Sequence, residues 1–182
     1  LRTTGTSSRI VSNLSRTLSN TTLTTLEVPR HLPDRMFAFD GGYDPGQASH
    51  TILLELRRTI ERHPAVQHAS GEPPGQFIRI VATVHPAILG SEADEGTLTL
   101  RWYAGEAADT DPEFAFHYSE SSDFDCGWHH EPNPHVDRGA HYQERLSAGE
   151  EYEYEAVSFD SLQPVPLLWG ILDRLETRLT DR

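Results

Sequence analysis

Lysine is absent from this 182-residue chain. All fifteen basic side chains are arginine, set against 28 acidic ones, and the formal net charge is −13. Carboxylates keep a hydrated surface soluble in strong salt, so an acid-rich, lysine-free chain suits a salt-rich cytosol. The expectation is a halophilic source, with a GC-rich genome as the other explanation. Such a charge opposes a nucleic-acid partner, but salt screens the global field within a few ångströms and leaves local arginines able to bind phosphate.

Cysteine occurs once, which excludes an internal disulfide. No apolar run approaches the roughly 18 residues that a membrane span needs. The start is polar and unlike a secretory leader, so a cytoplasmic protein with no membrane partner is expected. The apolar share is low, at 36%. That deficit is concentrated in residues 1–26, which are rich in Ser and Thr and hold no aromatic residue. The composition predicts a disordered or non-native tail there. Residues 27–43 read as a connector with a short strand at Met36–Phe39, and residues 44–182 as one domain.

In that domain Asp44-Pro45 opens a helix, with Ile52, Leu53, Leu56 and Ile60 at helical spacing, and His63-Pro64 ends it. Strands follow at residues 76–85, 97–103, 113–118 and 125–131, with an acidic edge strand at 151–159. A last helix from about Pro164 to Thr180 carries Leu168, Ile171, Leu172, Leu175 and Leu179 as its apolar stripe. The predicted class is α+β: an antiparallel sheet of four to five strands with two helices packed on one face.

The richest segment is Cys126 to Tyr142, with four of ten histidines, the lone cysteine and a stiff Pro132-Asn133-Pro134. Strand alternation divides it. If Leu98, Leu100, Trp102, Phe114, Phe116, Tyr118 and Trp128 face the helices, then Arg101, Tyr103, His117 and His129 share the opposite face, with Glu131 nearby. Cys126 and His130 fall on the core side, while His135 and His141 sit on the loop beyond.

Three readings of this set stay open. One is acid–base chemistry without metal or cofactor, in which His129 works with His135, His141 or His117 as in RNA cleavage. Arg101, Tyr103, Arg138 and Arg145 would then hold substrate. The second is a metal site of Cys126, His129, His135 and His141, or of histidines with Asp137 or Glu131, although the spacing matches no compact zinc pattern. The third is a non-enzymatic interaction or regulatory protein that meets its partner through the rigid loop.

A resemblance rests on Arg101-Trp102-Tyr103, Phe116-His117-Tyr118 and Trp128-His129-His130-Glu131-Pro132-Asn133-Pro134-His135, followed by His141. Over residues 48–179 the chain resembles the TumE-like toxins of prokaryotic type II toxin–antitoxin systems, in a haloarchaeal-type form. The resemblance implies a toxin partnered by a small helix-turn-helix antitoxin and leaves the target open. RNA and a second copy of the chain are the other partners considered. The Ser/Thr-rich start and the acidic residues 150–155 depart from the family pattern.

Overall fold

The computed structural model describes residues 42–137 and 139–182. Helix α1 begins where its chemistry dictates. Asp44 accepts the Gln47 N–H at 3.0 Å and Pro45 takes the first helical position. The helix spans Pro45–Ile60 and buries Leu53, Leu56 and Ile60, with Arg57 and Arg58 in its last turn, where the helix dipole favours cations. Seven strands follow: β1 (Val66–Glu72), β2 (Arg79–Val84), β3 (Gly96–Tyr103), β4 (Glu113–Glu120), β5 (Asp125–His130), β6 (Ala140–Arg145) and β7 (Glu153–Ala156). Helix α2 (Pro164–Thr180) closes the order, and a 3-10 turn at Pro86–Leu89 links β2 to β3.

The strands form one sheet in chain order, each antiparallel to the next. Alternation sets the two faces. Ile80, Leu98, Leu100, Trp102, Phe114, Phe116, Tyr118, Cys126 and Trp128 are buried in one core with Leu53, Leu56 and Ile60 of α1. From α2 the core takes Leu167, Leu168, Ile171, Leu172, Leu175 and Leu179. Each such side chain contributes about 1.5–3 kcal/mol when fully buried. An ionic clasp also fixes α2. Arg178 Nε donates to Glu144 Oε2 on β6 at 2.9 Å, and Tyr142 Oη donates to the same oxygen at 2.7 Å. Burial alone would raise the Glu144 carboxyl, but these bonds and the Arg178 charge more than offset it and hold the carboxyl below its usual range.

The class is therefore α+β with one antiparallel sheet, but the sheet has seven strands where four to five were expected. The two extra strands lack the pattern that identifies a strand. In β1, Val-Gln-His-Ala-Ser-Gly-Glu, only Ala69 is buried. In β6 only the inward Tyr142 joins the core, and the next inward residue is the charged Glu144. His141 is thus a strand residue and not part of the loop. The acidic β7 does lie at the edge, although it is shorter than residues 151–159. The expectations for residues 1–26, for a strand at Met36–Phe39 and for Arg138 lie outside the described residues. No helix among the described residues is long and apolar enough to cross a membrane.

Candidate functional site

The face of the sheet opposite the helices carries most of the expected site residues. On it, β4 and β5 pair with His117 opposite Gly127, Ala115 opposite His129 and Ser119 opposite Asp125. Each imidazole therefore sits across from a very small residue, and the rings lean into the space those residues leave. Their centroids are 5.7 Å apart, and the rings stand edge to face at 84°. A Cβ on Gly127 would lie 2.6 Å from His129 Nε2 and 2.7 Å from His117 Nδ1. The two inner ring nitrogens thus converge on the space above one glycine.

The outer nitrogens are held by carboxylates. His117 Nε2 lies 2.7 Å from Asp125 Oδ1, and His129 Nδ1 lies 3.1 Å from Glu131 Oε1. Each carboxylate also meets an arginine: Arg145 reaches Asp125 Oδ2 at 3.7 Å, and Arg101 reaches Glu131 Oε1 at 3.4 Å. The arrangement runs arginine, carboxylate, imidazole, then imidazole, carboxylate, arginine, with Gly127 at its centre. A carboxylate on one ring nitrogen fixes the N–H there and leaves a lone pair on the other. In their neutral forms His117 and His129 direct two lone pairs toward the same place. That geometry calls for a proton or a donor group between them.

Burial separates their roles. The His129 side chain is 7% exposed, and its Nε2 has no hydrogen-bond partner among the described residues. Burial pushes its pKa down to about 4, against the pull of the hydrogen bond and charge from Glu131, and any charge on His117 or His141 lowers it further. His117 is 27% exposed and forms the outward half of the pair. Burial would raise Asp125, but hydrogen bonds from His117 and Tyr152 and the nearby Arg145 charge more than offset it, leaving the carboxyl below its ordinary range. Tyr152 donates to Asp125 Oδ1 at 2.6 Å; burial, then that bond, pushes the phenol up to about 12.

The other expected site residues divide. Arg101, Tyr103, His117, His129 and Arg145 share the face, as alternation requires. Tyr103 is occupied at one end by Glu106, to which it donates at 2.7 Å. His141 pairs with His129 across β5 and β6, but both its nitrogens are in use. Its Nδ1 donates to Gly139 O at 3.0 Å and its Nε2 accepts from Asn133 Nδ2 at 2.9 Å. It is a buried buttress beneath the loop, with no nitrogen left for proton transfer. His135 stacks on Tyr154 at 4.6 Å and joins neither imidazole of the pair. Cys126 is on the helix side, where burial pushes its thiol up to about 12. The four-ligand metal set is thereby split across the sheet, and no group of three or more His, Cys, Asp or Glu suited to a metal exists among the described residues.

Asp125, Gly127, Asn133 and Tyr152 were not expected as site residues. Asp125 and Gly127 share the parity of His129 along β5, and that signal could have found them. Asn133 and Tyr152 act through loop closure and the β6–β7 register, which alternation does not reach. Comparison with known proteins gives no match to a family model, a curated protein or a solved structure.

Proposed function

We propose that this chain cleaves RNA by metal-independent acid–base catalysis at the His117–His129 pair. The observation that carries this reading is the convergence of two carboxylate-held imidazoles on the space above Gly127. Transesterification at a phosphodiester needs one group to take the 2′-hydroxyl proton and another to protonate the leaving 5′-oxygen. His129 is uncharged at neutral pH and accepts the first proton at Nε2. His117, entering the step as the imidazolium with Asp125 at its back, supplies the second from Nδ1. The 2′-oxygen bonds to phosphorus as the bond to the 5′-oxygen breaks, leaving a 2′,3′-cyclic phosphate and a free 5′-hydroxyl. His117 then takes back the proton from His129, and the pair is reset. The step requires the part-exposed His117 ring to tip outward and admit the phosphate between the rings.

Arg101 and Arg145 flank the pair and offer guanidinium to the phosphate oxygens. The same reading accommodates the toxin-like role implied by the motif resemblance, with a helix-turn-helix antitoxin as the partner that would cover this face. A face lined with Thr99, Arg101, His117 and Gln143 suits a polar substrate better than an apolar docking partner. The test is incubation of the full chain, in chelator and molar salt, with an oligoribonucleotide of defined sequence. A product with a terminal 2′,3′-cyclic phosphate by phosphorus NMR is expected, and a 2′-deoxy sugar at the cleaved position should block the reaction. An intact substrate, or cleavage that persists on the 2′-deoxy sugar, contradicts it.

A further inference from the structure

Tyr152 lies just before β7 and reaches back to Asp125 on β5, two strands away. Its Oη donates to Asp125 Oδ1 at 2.6 Å, and His117 Nε2 lies 2.7 Å from that same oxygen. The second oxygen, Oδ2, meets Arg145 at 3.7 Å, close enough for an ion pair and too long for a hydrogen bond. Arg145 stands directly across from Asp125 in the β5–β6 register. An arginine so placed ordinarily grips a carboxylate through two parallel N–H bonds. Here its Nε has no hydrogen-bond partner among the described residues, and its guanidinium carbon lies 5.0 Å from the centre of the Tyr152 ring. One tyrosine thus touches both the acid and the cation beside His117: its hydroxyl meets the acid and its face meets the cation.

We infer that Tyr152 is a positioning residue for the histidine pair, its hydroxyl aiming Asp125 at His117 and its ring holding Arg145 off that carboxylate and ready for the substrate phosphate. The inference rests on the RNA-cleaving reading of the pair. The proton that His117 gives up must leave from Nδ1, which faces the space above Gly127. A carboxylate fixed at Nε2 keeps the other proton there and the ring in that orientation. Without the hydroxyl, Asp125 Oδ1 keeps one donor where it had two, and the carboxylate turns toward Arg145 to complete the two-bond grip. His117 then loses its anchor at Nε2, and Arg145 loses the N–H groups it would offer to phosphate. Burial, then the bond to Asp125, pushes the Tyr152 phenol up to about 12, so it stays a donor at neutral pH.

Two readouts on the full chain test it. Nitrogen NMR of the imidazoles, recorded without RNA at a pH where His117 is neutral, should find its proton on Nε2 in wild type. In Tyr152→Phe that proton should be shared between Nε2 and Nδ1. In the oligoribonucleotide assay Tyr152→Phe, which keeps the ring, should lower kcat about tenfold and hold KM within about twofold. Tyr152→Leu, which loses ring and hydroxyl together, should lower kcat as much and also raise KM about tenfold. A wild-type His117 with its proton on Nδ1 overturns the inference, whether or not the variants fold. So does a Tyr152→Phe protein whose tautomer or kcat matches wild type, or one in which KM alone changes. The NMR keeps the two ideas apart. A tautomer that depends on the Tyr152 hydroxyl, in a chain that leaves RNA intact, supports the positioning of His117 by Tyr152 and removes the catalytic reading.

Discussion

Gly127 is where the site is most sensitive to a single methyl group. A Cβ there would meet His129 Nε2, His117 Nδ1 and, at 3.0 Å, the Phe116 carbonyl oxygen. Gly127→Ala should therefore push the imidazoles apart, reduce cleavage at least a hundredfold and cost about 1–3 kcal/mol of stability, as overpacking usually does; rate and urea midpoint check the two effects. His129 makes a separate prediction. Its pKa is about 4 in the folded chain, and an unperturbed imidazole titrates near 6.5. The unfolded chain thus takes the proton first, so this contribution is complete above about 6.5 and is lost as pH falls toward 4. The loss is at most about 3 kcal/mol, at roughly 1.4 kcal/mol per pH unit. Urea melts at pH 7 and pH 5 should converge in His129→Gln relative to wild type, and an unchanged gap would sink the assignment.

At the scale of elements, β6 does the most with the least sequence signal. Its outward His141 holds Asn133 and the loop, while its inward Glu144 takes Arg178 of α2. Arg178→Ala leaves the Glu144 carboxylate buried with only Tyr142 as partner, and a destabilisation of about 2–4 kcal/mol is expected in chemical denaturation. Strands β3, β4 and β5 were legible because large apolar residues alternate along them, and the same parity brought Arg101, His117 and His129 together on one face. Helices α1 and α2 were legible from caps and stripes. Strands β1 and β6 were not, because their neighbours in the sheet define them and their own side chains do not. Missing β6 also misplaced His141. No single strand could show that its two nitrogens are occupied, since Gly139 and Asn133 reach it only after the loop closes.

Across the described residues the sheet has apolar packing against the helices on one side, tied by the Glu144–Arg178 and Glu120–Arg182 ion pairs, and a cluster of imidazoles, carboxylates and arginines on the other. Of those groups, Arg101 and Arg145 already carry carboxylate partners, and the formal net charge is −13. RNA binding should therefore depend on salt only weakly. Two arginines meeting a single strand give a slope of log affinity against log salt of about −1.4, far shallower than for a basic nuclease. Filter binding across a salt series checks this, and a slope several times steeper would mean that other cations hold the RNA.

The account stands on which histidines do the work. Rates of oligoribonucleotide cleavage by His117→Ala, His129→Ala and His135→Ala, each confirmed folded by circular dichroism, test it most directly. The first two should each fall at least a hundredfold, and His135→Ala, whose ring only stacks on Tyr154, should stay within about twofold of wild type. Loss of activity in His135→Ala with His117→Ala unaffected would contradict the account and move the chemistry from the sheet face to the loop.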